Sequence, residues 1–239
     1  MLFKAIDIPS PKEAFIKEIQ GMVLTGQLIA GDRLPTEREL SIQMNIPRSV
    51  VNAGLADLER MGFVSVIPRR GTVICDYMRC GRLETLDAIM NFTRGRLDRR
   101  TFESIMDFRL LCEPYAARLA ALNRTDEDLR DLEDLCKKTE TSKDISEALE
   151  YRQKFNKAVY FATGNTLLPL IYNGFDVINQ YFAEIIFDAM GSEMAGIGMR
   201  ELFEAIRNQD AEKAYHCKFS TDETIINVLR DNYFRENGV

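Results

Sequence analysis

Histidine is nearly absent from this chain, since only one of its 239 residues, His216, is a histidine. A zinc, iron or nickel site usually needs imidazoles or clustered cysteines, and the five cysteines, at 75, 80, 112, 136 and 217, form no C-x-x-C pair. A triad or a histidine base would have to use this single residue. The sequence also lacks a glycine-rich phosphate loop and a nucleophile with a base. It therefore predicts that the protein is not an enzyme.

Long apolar runs are missing as well. No stretch approaches the roughly 18 apolar residues that cross a membrane, and the start, MLFKAIDIPS, has no long apolar segment after a basic residue. An odd number of scattered cysteines is typical of free thiols in a reducing compartment. With 46% hydrophobic and 28% charged residues, we expect a globular cytoplasmic protein with room for two modest domains.

An overall excess of positive charge is also lacking, because the net charge is −6. The charge is uneven, however. Residues 1–75 carry nine Lys and Arg against eight Asp and Glu, whereas the remainder carries 22 against 29. Any contact with a polyanion should therefore be local and lie in the N-terminal part.

The N-terminal part has the pattern of three helices followed by a hairpin. Apolar residues at helical spacing predict a first helix over 11–25. Thr36 followed by Glu39 is a capping box that begins a second helix, and a third helix is predicted from about 47 to 61. The β-rich runs in FVSVIPRRGTVIC flank Pro-Arg-Arg-Gly and predict a hairpin. This order indicates a winged helix-turn-helix, whose third helix enters the major groove of DNA.

The stretch AGDRLPTERELSIQMNIPRSVVNAGLADLERMGFVSVIPRRGTVI resembles the DNA-binding domain of GntR-type bacterial transcription regulators. The resemblance implies that Arg38 meets the DNA backbone and a base, that Arg48 begins the recognition helix, and that Arg70 lies at the wing tip. Because each monomer carries one recognition helix, we expect a homodimer on double-stranded DNA with a palindromic operator. The predicted DNA-binding residues are Thr36, Arg38, Arg48, Ser49, Asn52, Arg69, Arg70 and Gly71.

Two positions depart from the family pattern. Pro47 stands where the family often has a serine; it suits a helix start but offers no capping oxygen. Asn52 stands where an arginine is frequent, and asparagine pairs bidentately with adenine rather than guanine. The operator sequence therefore stays open. These departures also support an alternative from another class, a winged-helix protein-interaction module without DNA binding.

The C-terminal part is predicted to be almost wholly helical, so the fold class is mainly α, with a winged helix-turn-helix followed by an all-α seven-helix bundle. The predicted helices lie near 82–94, 101–122, 126–140, 144–163, 166–190, 195–208 and 210–235. The predicted domains are 1–75 for DNA binding, 76–100 as a linker with a connecting helix, and 101–239 for effector binding and dimerisation. A bundle of this size is large enough to enclose a ligand.

The stretches FRLLCEPYAARLAA, FNKAVYFATGN and LFEAIRNQDAEKA resemble the FCD effector domain of the FadR branch of the same family. Many FCD domains bind a divalent metal through one aspartate and three histidines. In this chain those positions hold Arg152, Asn156, Met199 and, approximately, Thr221. An arginine repels a cation and cannot ligate one. The resemblance therefore implies an effector domain with no metal and no other cofactor.

A small carboxylate or another anionic metabolite is the effector that this pattern favours. The predicted ligand-binding residues are Arg109, Arg152, Asn156, Met199 and Thr221. Two alternatives stay open: Arg109 pairs with Glu113 at a wet edge of the bundle, and Arg152 lies at the surface. A second hypothesis is an acyl-CoA-responsive regulator of lipid metabolism, because LIYNGFDVINQYF resembles a helix of such proteins. An acyl tunnel would then be lined by Tyr181, Phe182, Phe187 and Met199, which otherwise pack in the core.

Overall fold

The computed structural model describes residues 9–93, 95–190 and 196–237, and of 187–190 and 234–237 it describes the backbone alone. The chain divides into two compact units, Met1–Gly95 and Arg96–Val239. The segment predicted as a linker, 76–100, thus lies largely in the first unit. No helix in the described ranges is long and apolar enough to span a bilayer.

The first unit is a winged helix-turn-helix, as predicted. Its elements are α1 (Pro11–Leu24), α2 (Glu37–Gln43), α3 (Arg48–Arg60), β1 (Val64–Ile67), β2 (Gly71–Ile74), α4 (Tyr77–Cys80) and α5 (Leu83–Thr93). The two strands are antiparallel, with Val64 opposite Ile74 and Ile67 opposite Gly71. The short helix α4 is not among the predicted elements.

Local signals set the helix boundaries of this unit. The predicted capping box of α2 is confirmed, because the Thr36 hydroxyl accepts from the Glu39 backbone N–H and the Glu39 carboxylate accepts from that of Thr36. Helix α3 begins after Pro47 without a side-chain cap. It ends before Gly62, whose φ is 76° and where a Cβ atom would lie 2.5 Å from the Cys80 carbonyl oxygen. Only glycine fits that turn.

The core of the first unit lies between α1, α3 and the hairpin. Val51, Leu55 and Leu58, the predicted apolar stripe of α3, are buried, and Phe15 and Phe63 pack with them. Full burial of one such side chain contributes about 1.5–3 kcal/mol. This packing fixes the orientation of α3 and leaves its polar face exposed.

The second unit is an all-α bundle. Its described helices are α6 (Arg99–Asn123), α7 (Asp126–Thr141), α8 (Ile145–Phe161), α9 (Leu168–Asn173), α10 (Asp176–Met190), α11 (Met199–Arg207) and α12 (Ala211–Asn237). The two longest helices, α6 and α12, pack along each other, and α7 pairs with α8.

The prediction of one helix over 166–190 is wrong, because two helices, α9 and α10, occupy this range. Gly174 ends α9, and glycine has a low helix propensity. The break lets two aromatic contacts form at once: Tyr172 packs on Tyr160, and Phe175 stacks on Phe108 with ring centroids 5.1 Å apart. Helical periodicity on either side of Gly174 conceals this change of direction.

Candidate functional site

The predicted DNA-binding residues lie at the surface of the first unit, on α2, α3 and the hairpin. Thr36, Arg38, Arg48, Ser49, Asn52, Arg69, Arg70 and Gly71 are all accessible to solvent. The side chain of Arg48, at the first turn of α3, is 69% exposed. The positions that approach DNA in a winged helix-turn-helix are therefore accessible.

A carboxylate on α2 organises the polar face of α3. Glu37 accepts a hydrogen bond from Arg48 Nε at 3.0 Å and another from Asn52 Nδ2 at 3.1 Å. These bonds lower the pKa of Glu37, and the bond from Asn52 has the largest effect. Exposed pairs of this kind contribute about 0–1 kcal/mol, so a stronger partner can displace them. The sequence prediction missed Glu37, although its place directly after the capping Thr36 puts it beside α3.

The wing tip exposes two guanidinium groups on a tight turn. Arg69 has a φ of 64° and Gly71 a φ of 89°, both in the left-handed region, and the Arg70 backbone N–H donates to the Ile67 carbonyl oxygen at 2.9 Å. The turn thus presents Arg69 and Arg70 side by side, in a form suited to phosphate contacts.

The second unit contains a cavity of about 50 Å³ between α6, α8, α9, α10 and α12. Among the residues that the structure describes, five charged side chains line it: Arg109, Glu113, Arg152, Lys218 and Asp222. Interiors exclude charges unless these are paired and hydrogen-bonded. A cluster of five inside a helical bundle therefore marks the best candidate for an effector site.

Four of these side chains form one connected network. Arg109 Nε donates to Glu113 Oε1 at 2.7 Å, Lys218 Nζ donates to Glu113 Oε2, and Lys218 Nζ donates to Asp222 Oδ1 at 2.5 Å. The pairing of Arg109 with Glu113 is thus present, but in the interior rather than at a wet edge, because Glu113 is only 5% exposed. Lys218 and Asp222 are also buried, since their exposed fractions are 4% and 1%.

The two carboxylates of the network differ in their protonation. Burial alone would raise the pKa of Glu113, but the charges of Arg109 and Lys218 outweigh it and lower this pKa to about 2. Burial and the charge of Glu113 raise the pKa of Asp222 to about 7. Asp222 Oδ2 has no hydrogen-bond partner among the described residues. Glu113 is therefore a fixed anion, whereas Asp222 titrates near neutral pH.

We expect the variant Asp222→Asn to change how stability depends on pH. A carboxyl group whose pKa is raised by folding weakens the folded state as it ionises. The contribution of Asp222 to the free energy of unfolding therefore decreases as the pH rises from its unfolded pKa of about 3.9 to its folded pKa of about 7. The unfolding free energy of the variant minus that of the parent should rise by about 1–3 kcal/mol from pH 5 to pH 8. Urea denaturation across this range measures it, and parallel pH profiles would contradict it.

Three of the five residues predicted to bind ligand line this cavity: Arg109, Arg152 and Asn156. Arg152 Nη1 also donates to the Ile197 carbonyl oxygen at 3.0 Å. Met199 instead lies in the apolar core with Leu202 and Phe203.

Thr221, the fifth predicted residue, packs against Gly198, where an added Cβ atom would lie 2.1 Å from its hydroxyl oxygen. Of the residues proposed for an acyl tunnel, Phe182 lines the cavity and is fully buried. The side chain of Phe187 lies outside the described residues.

The sequence prediction missed Lys218 and Asp222 and assigned Glu113 only a surface pair. Lys218 and Asp222 stand four residues apart on α12, a spacing that places them on one helix face. That spacing is a usable signal, but it is common on solvated helices. Only the packing of α12 on α6 brings the pair to Glu113.

The cavity does not suit a divalent cation. Two guanidinium groups and an ammonium group line it, and both carboxylates are bonded to those cations. Across the described ranges, no group of three or more His, Cys, Asp or Glu side chains is placed to hold a metal ion.

Two protein-family models match the chain: "Bacterial regulatory proteins, gntR family" over residues 11–74 and "FCD domain" over residues 104–218. The HTH-type transcriptional regulator Mce2R of Mycobacterium tuberculosis is 31% identical over 165 residues, which cover 69% of this chain and 68% of that protein. The fatty acid metabolism regulator protein of Pectobacterium carotovorum is 24% identical over 211 residues, or 87% of this chain and 81% of that protein.

A solved structure of Lar, described as controlling the expression of the Listeria monocytogenes agr system, is similar in fold. Its TM-score is 0.63 at 15% identity, and the match covers 95% of this chain and 99% of that one. At that identity the likeness concerns the fold alone.

Proposed function

The chain belongs to the GntR family of bacterial transcription regulators and carries an FCD domain, and we propose that it is a cytoplasmic homodimer whose affinity for a palindromic DNA operator is changed by a small anion bound in the helical unit. The observation that carries the effector half of this proposal is the buried charge cluster around the cavity. The observation that carries the DNA half is the exposed polar face of α3.

The recognition face is suited to base contacts near the start of α3. Arg48 and Asn52 lie one turn apart and share the Glu37 carboxylate, and DNA can displace these weak exposed bonds. Arginine and asparagine are also the residues that pair bidentately with guanine and adenine in the major groove.

A homodimer is supported by an exposed apolar face in the second unit. Leu111, Tyr115 and Leu122 are 71%, 49% and 53% exposed and lie within about 40° of one another around α6, at 3.6 residues per turn. Leu167 and Leu170, at the start of α9, are also exposed. Such a face is costly in water. Contact with a second copy would cover it and supply the two recognition helices that a palindrome requires.

A small anion fits the cavity better than an acyl-CoA does. Three cationic side chains among the described residues line it, and such groups attract an anion. Sites for drug-sized ligands enclose about 300–1,000 Å³, whereas this cavity measures about 50 Å³. The name of the Pectobacterium relative points to fatty acid metabolism, but a long acyl chain would require the helices to separate.

We expect Arg48→Ala to weaken operator binding by about 1–3 kcal/mol, or roughly 5- to 150-fold. The operator duplex is first obtained by selection from a random DNA pool, and affinity is then measured by fluorescence anisotropy at several salt concentrations. The matched control is Arg60→Ala, which removes an exposed, ion-paired arginine at the other end of the same helix. The operator affinity of Arg60→Ala should stay within about twofold of that of the parent chain.

Two results would count against the DNA-binding function. One is a selection that returns no enriched duplex. The other is equal binding by the parent chain, Arg48→Ala and Arg60→Ala with no dependence on salt. Either result would favour the protein-interaction module instead.

A further inference from the structure

We propose that Cys75 and Cys80 are a thiol pair in the first unit that a hydroperoxide oxidises to a disulfide within the chain, which a dithiol reductant opens again. The pair lies between the wing and α5, on either side of the start of the short helix α4. It belongs neither to the exposed face of α3 nor to the cavity of the second unit. The inference therefore goes beyond the proposed function and does not depend on it.

The backbone around α4 brings the two side chains together. Asp76 is the N-cap residue, with an extended backbone (φ −71°, ψ 98°) and a carboxylate that accepts from the Met78 backbone N–H at 3.1 Å. Cys75 is thus the residue before the cap, and Cys80 is the fourth residue of the helix. Apolar side chains at these two positions often pack on each other, an arrangement called a hydrophobic staple. In this chain both positions hold a thiol.

The two thiols interact directly and differ in their environment. The Cys80 side chain is a hydrogen-bond partner of Cys75, and burial first, then this neighbour, raise the pKa of Cys75 to about 11. Cys75 is half-buried, whereas Cys80 is exposed. Because the thiolate is the reactive form of cysteine, Cys75 reacts slowly with an oxidant in solution. Cys80 is therefore the thiol that an oxidant meets, and Cys75 is the one that completes the disulfide.

The remaining cysteines are placed differently. Cys112, Cys136 and Cys217 lie on α6, α7 and α12 of the second unit, and burial raises the pKa of each of these thiols. A thiol that keeps its proton in apolar surroundings is unreactive. The structure describes all five cysteines, and only Cys80 is exposed. Oxidation should therefore begin at the pair.

Both members of the pair are held by neighbouring backbone, so the disulfide requires no unfolding. The Cys75 N–H donates to the Phe63 carbonyl oxygen at 2.9 Å, and the Cys80 N–H donates to that of Asp76 at 2.9 Å. The Cys80 carbonyl oxygen lies against Gly62, at the turn that ends α3. Groups held together in this way react at a high effective concentration. A disulfide within the chain is therefore favoured over one between two chains.

The oxidation proceeds in two steps. The Cys80 sulfur attacks one oxygen of the hydroperoxide, the O–O bond breaks, and Cys80 becomes a sulfenic acid while an alcohol leaves with the thiol proton (water, where the oxidant is hydrogen peroxide). The Cys75 sulfur then attacks the Cys80 sulfur. The S–S bond forms, the S–O bond breaks, and water leaves with the proton of Cys75. Two thiols are oxidised and one hydroperoxide is reduced.

Peptide mapping tests the pair in the full chain. The chain is reduced, freed of reductant and treated with a small molar excess of hydrogen peroxide, and the remaining thiols are then blocked with N-ethylmaleimide in acidic denaturant. Trypsin cleaves after Arg70, Arg79 and Arg82, so the disulfide joins peptide 71–79 to peptide 80–82 until a reductant separates them. We expect this linked peptide to be the main oxidation product, with an unchanged circular dichroism spectrum.

Three results of the mapping would overturn the inference. The first is that Cys75 and Cys80 both remain reduced and blocked. The second is that Cys80 advances to a sulfinic or sulfonic acid while Cys75 stays reduced. The third is that the oxidised chains are joined to one another instead.

Single variants separate the two roles. In Cys75→Ser, the Cys80 thiol should react within about twofold of its parent rate and stop at a sulfenic acid, which dimedone traps. In Cys80→Ser, the loss of the Cys75 thiol should be at least about tenfold slower than the loss of Cys80 in the parent chain. Cys217→Ser, the matched control, removes a half-buried cysteine of the second unit and should keep the linked peptide. Equal rates in the first two variants, or loss of the linked peptide in the third, would contradict these roles.

Discussion

Replacement of Glu113 by glutamine is expected to cost the second unit about 3–5 kcal/mol of unfolding free energy. Glu113 bonds to both Arg109 and Lys218 and is 5% exposed, so the neutral amide leaves two buried cations without their shared anion. Asp222 offsets part of the loss, because its pKa is raised partly by the charge of Glu113 and should fall in the variant. Urea denaturation followed by circular dichroism at pH 7 measures the change.

Glu103→Gln is the matched control on the same helix. Glu103 pairs with Arg230 at 2.8 Å, but its side chain is 31% exposed and that of Arg230 is 37% exposed. Solvent screens this pair, so the loss should be about 0–1 kcal/mol. Similar losses in the two variants would mean that the Glu113 cluster contributes no more than an ordinary surface pair.

The variant Leu111→Asp is expected to separate the proposed homodimer and to lower operator affinity more than about 100-fold. By symmetry each dimer would carry the charge twice, in an apolar face that contact with the second copy desolvates. A monomer also loses the gain in avidity from binding two half-sites at once. Analytical ultracentrifugation gives the mass, and anisotropy on the selected operator gives the affinity.

Met78→Asp is the control for this variant, because Met78 is also a highly exposed apolar residue, at 79%, but lies on α4 in the first unit. It should leave the mass of the dimer unchanged. A dimeric Leu111→Asp variant would place the interface on another face of the chain.

Much of the first unit was predictable because its signals are local. The capping box of Thr36 and Glu39 spans four residues, and the stripe of Val51, Leu55 and Leu58 recurs with the period of one helix. The break at Gly174 was missed for the same reason. Two apolar helices in succession have the same periodicity as one, and the aromatic contacts that favour the turn come from α6 and α8.

Local sequence patterns predicted only some of the residues that line the cavity. Resemblance to the FCD domain placed Arg109, Arg152 and Asn156 at one site, and all three line it. The same resemblance gave Met199 and Thr221, yet Met199 packs in the core and Thr221 packs on Gly198. A resemblance in sequence transfers a position along a helix, but not the rotation that decides which side chain faces the cavity.

The amino-acid sequence alone determined the winged helix-turn-helix, the helical second part, the exposed basic residues at α3 and the wing, and the family. Each of these depends on residues within a few positions of one another or on a continuous motif. Tertiary structure decided the protonation of the candidate effector site. Lys218 is 105 residues from Glu113 along the chain, and only the packing of α12 on α6 joins them. The charges of Arg109 and Lys218 keep Glu113 ionised despite its burial, and Asp222 has an oxygen without a partner among the described residues, since the cost of a buried charge depends on every helix around it.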